Sequence, residues 1–343
     1  MKSWRDVARR GWGGLDGPSG YERANPLGSS AGRHRHGDEI HAHLEPHPHV
    51  HGAAGAPSVG IVGAGPVGTA LGVAISRAGW PVRAVASRDT GRRERFRSLV
   101  PTARAFMEPA AVLDEVELAI LAVPDDAIPS VIEPLRLYSG QVLVHTSGLL
   151  GAEVLESARA AGSQIGAFHP LVSFTSDVER SVAAIAGSTI ALEGDDRLMS
   201  LLADLAEAIG GLPVRLPTGS KAAYHAAAVL ASGGLVALLD AIATLGATAG
   251  LDEPGALAVY GRLIEQTLAN ARAIGVAASL TGPITRGDSG TLEVHLATLS
   301  RLAPDVMDLY LAAARREVRI AEERGALSPE QLDSVRRALA KVG

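Results

Sequence analysis

Cysteine is absent from this 343-residue chain. That excludes disulfides and thiolate chemistry, and it suits a reducing compartment. Aromatic residues make up 3%, too few for a base-stacking platform. Neither sign of charge is in strong excess. The 32 Lys and Arg against 37 Asp and Glu leave a net charge of -5, which carries no electrostatic footprint for nucleic acid. An apolar signal region is missing too: Met1–Arg10 is basic, but Gly11–Gly32 behind it holds no hydrophobic run. These absences predict a cytoplasmic protein that acts on a small molecule, with no part for nucleic acid or a membrane.

What is present falls into three stretches, and the length itself suggests about two folded domains. Residues 1–56 are rich in Gly, Pro, Arg and His and lack hydrophobic periodicity, so they are predicted to be disordered. Their His34, His36, His41, His43, His47, His49 and His51 read either as a loose metal-binding tract or, more simply, as a solvated tail without the geometry to hold an ion. Residues 57–217 alternate strands and helices, with strands expected at 58–62, 82–86, 116–123, 141–144, 164–168, 188–192 and 213–216. That alternation means a doubly wound parallel sheet.

Residues 218–343 show helical patterns only, near 219–249, 254–274, 289–302, 304–324 and 328–341. Thr218 or Ser220, Asp288 and Ser328 are the expected caps, and Gly250 the expected stop. The predicted fold class is therefore α/β: a Rossmann-type domain over 57–217 and an all-helical domain over 218–343. The apolar run Ala222–Ala249 is Ala-rich and is broken by His225, Gly233, Gly234 and Asp240. It reads as a buried core helix rather than a membrane span. Its scarcity of charge suggests that a second copy helps to bury it, hence a homodimer through the helical domain.

Within the first domain, Ser58-Val59-Gly60-Ile61-Val62 runs into Gly63-Ala64-Gly65-Pro66-Val67-Gly68. A strand that ends in G-x-G-x-x-G and enters a helix is the dinucleotide-binding turn. Gly63 permits the tight turn, Gly65 leaves room for a pyrophosphate, and Gly68 lets helix and strand pack closely. The anion then meets free N–H groups at the helix start, where Pro66 and Val67 lie. An ordinary strand-to-helix turn is the plain structural alternative. Ser87-Arg88-Asp89 follows the second strand. Ser87 and Arg88, with Arg92 and Arg93 close behind, suit a 2′-phosphate, which favours NADP. Asp89 keeps NAD open, and a solvated basic helix start is the simpler reading. Val123 and Pro124 end a later strand and complete the cofactor candidates.

The candidate chemistry lies at strand ends and on the first long helix. His145-Thr146-Ser147 and His169-Pro170 end strands, where ligands of such sheets bind. Against the apolar background of the long helix, Lys221, Tyr224, His225 and Ser232 stand out at offsets of three, four and eleven, along one face. The helix dipole disfavours a cation in the first turn, so Lys221 is a candidate acid with a lowered pKa. The alternative is a lysine reaching solvent beside satisfied core polars. Further on, Arg286 is placed to clamp a carboxylate, Asp288 is either catalytic or an N-cap, and His295 reads as a core histidine. None of the histidines has paired metal-ligand spacing, so no metal is predicted.

Together, Gly63–Gly68, Ala122-Val123-Pro124-Asp125, His145-Thr146-Ser147-Gly148, Phe168-His169-Pro170-Leu171, Lys221 with Tyr224-His225, and Thr281-Gly282-Pro283 with Arg286-Gly287-Asp288 resemble the Rossmann-like proteins that carry an uncharacterised helical C-terminal domain. These belong to the 6-phosphogluconate-dehydrogenase-like superfamily. The resemblance covers about 57–343 and implies an NAD(P)-dependent oxidoreductase. The wider superfamily includes β-hydroxyacid dehydrogenases, ketopantoate reductases and pyrroline-carboxylate reductases. The first two use a lysine that Lys221 matches. They carry an asparagine where this chain has His225, and related sequences carry another where it has Gly233.

The resulting expectation is NADPH-dependent reduction of a small 2-oxo acid, with ketopantoate the first substrate to try. Lys221 donates the proton, His225 and Ser147 assist it, and His145, Thr146, His169, Arg286 and Asp288 are candidates to touch substrate. Reduction of a C=N bond, and a non-catalytic NADP(H) sensor or scaffold, are the competing readings.

Overall fold

The computed structural model describes residues 55–341 and two short strands in the preceding stretch. These are β1 (Arg33–His36) and β2 (Glu39–Ala42), paired antiparallel with His34 opposite His41. The sequence pattern predicts no structure there. A lone strand pair of this kind is marginal in water. The rest of the predicted tail, with His43, His47, His49 and His51, lies outside the described residues.

Eight strands form the main sheet: β3 (Val59–Val62), β4 (Val82–Ala86), β5 (Arg104–Phe106), β6 (Leu118–Leu121), β7 (Val142–His145), β8 (Gln164–Pro170), β9 (Thr189–Gly194) and β10 (Leu212–Arg215). Their order is β10-β9-β8-β7-β6-β3-β4-β5. From β5 to β8 this is the Rossmann order, with the reversal between β3 and β6. β5 goes beyond the predicted strands, because three residues at an edge leave too short a pattern to read. The sheet is also not wholly parallel as expected. β9 runs antiparallel to β8, with β10 parallel to β9. Between them lies only the eight-residue helix Val178–Ile185, and Leu171 N–H already bonds Thr189 C=O at 2.8 Å. The chain re-enters at the end it left, whereas a parallel return needs a full crossover.

β3, β6 and β7 are buried at every residue, as strands covered on both faces must be. Ile61, Leu71, Phe96, Ile120, Phe168 and Leu202 belong to the core on one face of the sheet. Val62, Leu113, Leu121, Ile128, Leu143 and Leu155 belong to that on the other. The helix α1 (Pro66–Arg77) opens with Pro at its first position, where the missing N–H costs nothing.

The chain divides into two compact units between Ala226 and Ala227. The division falls inside the helix α2 (Lys221–Val229), whose first six residues belong to the first unit. A π turn at Leu230–Gly234 follows, then α3 (Leu235–Thr248), α4 (Glu253–Ile274), α5 (Ser289–Leu302), α6 (Met307–Glu323) and α7 (Pro329–Ala340). In the second unit Leu292, Leu296, Leu311, Val318, Val335 and Leu339 knit α5, α6 and α7 into one core. Asp252, Asp288 and Ser328 cap α4, α5 and α7, the last two as predicted. Ser220 instead turns its hydroxyl to the Pro217 carbonyl, 2.6 Å away.

The long apolar helix is not the buried core helix that its composition predicts. It spans 28 residues, Lys221–Thr248, with a mean hydropathy of 2.0 over a window of which 6% is buried. By length and composition it could cross a membrane. Only Ala241 and Gly246 of α3, and Ala256 of α4, are buried. Small residues let α3 lie against α4, with Gly246 beside Ala256, while their large apolar side chains point elsewhere. Leu230 is 73% exposed and Val236 65%. The π turn adds a residue to the helical repeat. It takes in Ser232, whose hydroxyl donates to Ala228 C=O at 2.8 Å.

Candidate active site

The strand-to-helix turn opens a groove of about 770 Å³ in the first unit, within the range of cofactor sites. Gly63 has φ of +105° and lies so close to β6 that a Cβ there would come 2.2 Å from Ala122 O. A Cβ on Gly68 would strike Gly63 O at 1.9 Å, whereas one on Gly65 would meet nothing within 4 Å and project into open space. Helix geometry leaves the first-turn N–H groups of Val67 and Gly68 without intrahelical acceptors. A glycine cradle open at Gly65, beside free N–H groups, fits a pyrophosphate.

The far end of the groove is lined by Ser87, Arg88, Asp89 and Arg92. Asp89 caps the following helix through Arg92 N–H at 3.0 Å and pairs with the Arg92 guanidinium. Arg93 donates to the Ser87 and Arg88 carbonyls and to Thr90 Oγ1, which braces the loop and leaves Arg88 exposed. The acid that would suit NAD is thus engaged in capping, and a guanidinium is free. Val123, Pro124 and Thr146 line the opposite wall.

A polar cluster lies at the carboxyl ends of β6, β7 and β8. Lys221 is 3% exposed, and its Nζ donates to the Ser147 carbonyl. Burial lowers its pKa to about 8, against the pull of the Glu193, Asp125 and Glu153 carboxylates. The Ser147 hydroxyl donates to Asp125 Oδ2 at 2.8 Å and accepts from Leu149 and Leu150 N–H. Its side chain shapes the turn, and its carbonyl meets the lysine.

His145 is fully buried. Its Nδ1 accepts from Ser147 N–H, so its Nε2 donates to Gly151 C=O at 3.1 Å. Burial, then the Lys221 charge, lower its pKa to about 4. With both nitrogens engaged, it orders the turn. His169 is half-buried, its Nδ1 3.2 Å from the Tyr224 hydroxyl. Its pKa is also about 4, through burial, then Lys221 and His225. His225 crosses His169 edge to face, at 6.2 Å between ring centres, and its Nδ1 is buried without a partner.

The remaining predicted residues belong to the second unit. Arg286 is exposed at the end of a short turn. Asp288 takes Thr291 N–H at 3.0 Å on one oxygen and the Thr291 hydroxyl on the other. That is the capping role in full. The expected core histidine, His295, is exposed and bonds the Tyr310 hydroxyl at 2.8 Å, because its helix buries Leu292, Leu296 and Leu299 instead.

The sequence reading quotes Asp125 and Gly148 within motifs but gives them no role in the cluster, and it omits Glu193. Asp125 holds Ser147. Gly148 is pressed between imidazoles, since a Cβ would lie 2.5 Å from His225 Nδ1 and 2.8 Å from His169 Nε2. Glu193 is buried on β9. An acid inside an otherwise apolar strand, Thr189-Ile-Ala-Leu-Glu-Gly194, is the signal that could have found it.

Residues 48–170 match the family model of a Rossmann-like domain, and residues 188–317 that of a domain of unknown function, DUF2520. No curated protein matches the chain. Among solved structures, the protein TM1727 from Thermotoga maritima is 28% identical, with 78% of this chain and 99% of that one covered at a TM-score of 0.60. A putative NADP oxidoreductase from Bacteroides fragilis is 22% identical over 76% of this chain and 97% of that one, at 0.62. An imine reductase from Aspergillus terreus, in complex with NADPH4 and a dibenzazepine, is 18% identical over 81% and 98%, at 0.61.

Proposed function

From a chain that joins a Rossmann-like domain to a DUF2520 domain, we propose an NADP(H)-dependent reductase in which Lys221 is the proton donor. The observation that carries this reading is a buried ammonium at the strand ends of a dinucleotide fold. Gly63, Gly65, Pro66, Val67 and Gly68 would hold the pyrophosphate, Ser87 and Arg88 the 2′-phosphate, and Val123 and Pro124 the redox end. When bound, NADPH supplies the hydride. The engagement of Asp89 in capping and with Arg92 supports NADP over NAD. Arg88→Ala should therefore weaken NADPH far more than NADH.

Lys221 gives its proton to the oxygen that gains charge as a carbonyl is reduced. A lysine with a pKa near 8 is protonated at neutral pH yet gives up its proton readily. The turn around Ser147 aims it, and His169 and His225 border the same space as neutral or unpartnered polar groups. A small 2-oxo acid, ketopantoate first, is the substrate class this acid suits.

The surroundings of Lys221 favour a second reading. Three carboxylates, Glu193, Asp125 and Glu153, act on it, a field that draws cations rather than anions. A protonated C=N group answers that field, and the imine reductase fold supports it.

NADPH oxidation at 340 nm, with ketopantoate and with a cyclic imine, tests both in wild type and Lys221→Ala. Loss of the lysine should cut carbonyl reduction by roughly 10²–10⁴ while sparing NADPH binding, and should cut imine reduction less. Equal turnover in the variant would remove Lys221 from the mechanism. NADPH binding with no turnover on either class would favour a sensor.

The reading includes a homodimer through the helical domain. The exposed apolar side chains of α3 and α4 support it, and Arg262, Glu265 and Arg272 along α4 fit a protein partner better than lipid.

A further inference from the structure

Beyond its share in the field around Lys221, Glu193 has no role of its own in the chemistry above, and its setting is costly. It is 4% exposed. One interaction comes from the Ala152 N–H, while Oε2 is buried with no hydrogen-bond partner. Buried carboxylates without full pairing are expensive, and burial pushes the Glu193 pKa up, so its charge is kept only beside a compensating one. Its position supplies one. His145, Ala167 and Glu193 stand opposite one another on β7, β8 and β9. Residues in register face the same side of a sheet, so the carboxylate and the His145 ring flank the small Ala167 side chain, on the side of the polar cluster.

Lys221 meets titratable groups from every neighbouring element: Asp125 after β6, His145 on β7, Glu153 after it, His169 on β8, Glu193 on β9, and Tyr224 and His225 on its own helix. The two histidines with lowered pKa are neutral near pH 7. Asp125 is engaged by Ser147, and Glu153 is exposed. Glu193 is the carboxylate that is both buried and not fully bonded. It leads the charges that favour the Lys221 ammonium, and Lys221 leads those that favour the Glu193 carboxylate.

We propose that Glu193 is a positioning residue whose carboxylate holds the buried Lys221 side chain in its ammonium form, ready to act as acid. This rests on the reading of Lys221 as proton donor. Burial alone drives that lysine toward the neutral amine, which has no proton to give. Glu193 opposes that drift from β9, without touching substrate.

The chain has three lysines, Lys2, Lys221 and Lys341, so 13Cε-lysine labelling resolves Lys221 by NMR, with Lys221→Ala identifying the signal. In Glu193→Gln, equal in shape but uncharged, the Lys221 titration should move down by about one pH unit. The alkaline fall of the reduction rate should move with it. The rate then drops about fivefold at pH 8 and stays nearly unchanged at pH 6. Glu193→Asp, which keeps the charge but withdraws it, should give a smaller downward move.

An unmoved Lys221 titration in a folded Glu193→Gln protein overturns the proposal, as does a uniform rate loss at all pH values with that titration unmoved. If Glu193→Gln does not fold, Glu193→Asp decides in the same way. A shifted titration without a shifted rate profile upholds the action of Glu193 on the lysine. It removes Lys221 as the donor, so the two readings fail separately.

Discussion

In the first unit β3, β6 and β7 are buried at every residue. In the second, α4 runs 22 residues with Ala256 alone buried, and the apolar α3 beside it buries only Ala241 and Gly246. Apolar content is high in both, so composition does not separate them. What separates them is closure. Helices cover both faces of the sheet, whereas the large apolar side chains of α3 and α4 stay exposed. A sheet can hide its apolar rows within one chain. A pair of helices that meet through small residues and carry large apolar side chains elsewhere cannot.

The most direct way to break this contrast is at the open face. Leu230→Glu combined with Val236→Glu places charge on two of its most exposed apolar residues. If a second copy covers the face, light scattering should show the dimer give way to a 35.3 kDa monomer. A wild-type chain that is monomeric without detergent would sink the dimer. One that needs detergent to stay in solution would point to lipid.

At the closed unit the next effect belongs to the cofactor. Gly65→Val adds a side chain where nothing lies within 4 Å, so the fold should hold while the pyrophosphate loses its seat. NADPH affinity should fall at least about tenfold with unchanged thermal stability in the absence of cofactor. An equal fall in stability would mean that the glycine serves packing instead.

Much of the first unit was legible because its signals are local. Gly63–Gly68 states its own turn geometry, and strand-end motifs such as His145-Thr146-Ser147 name the side of the sheet where ligands bind. The reversed β9 was not legible, since strand direction depends on where the connection returns. Glu193 escaped because its meaning comes from β7 and β8, strands far away in sequence. The hydrogen bonding of His145 and Ser147 was hidden for a related reason: both look free in isolation, yet their polar atoms are engaged by Gly151, Asp125, Leu149 and Leu150. In the second unit the caps were legible, because Asp288 and Ser328 act within one helical turn. The exposure of α3 was not, because an apolar helix reads the same whether its own chain or another covers it.

Acid should sharpen the contrast from the other side, because His145 and His169 belong to the closed unit. Their folded pKa values, about 4, lie below the ordinary histidine value near 6.5. Between those values the unfolded chain binds protons that the folded one does not. Their contribution is thus complete above pH 6.5, declines as pH falls toward 4, and declines no further below that. Each histidine gives a slope of up to about 1.4 kcal/mol per pH unit. Urea titrations at pH 7 and pH 5 should show the loss, and His145→Gln should remove about half of the slope. An unchanged slope in that variant would mean that His145 is not buried neutral.

The smallest effect is expected at the caps that hold the second unit together locally. Ser328 accepts from Gln331 N–H, and the Gln331 side chain returns to Ser328 N–H at 2.9 Å. Gln331 Nε2 also reaches the Arg286 carbonyl at 3.1 Å, which ties the start of α7 to the Arg286 turn. Ser328→Ala removes the acceptor for one first-turn N–H and should cost about 1 kcal/mol, a few degrees in Tm. Ser328→Asp keeps an acceptor there and should restore most of it. NADPH affinity should be unaffected, because no residue of the cofactor groove changes. If Ser328→Ala melted as wild type does, packing of Val335 and Leu339 in the helical core would be holding that helix end without its cap. The second unit would then resemble the first more than their burial suggests.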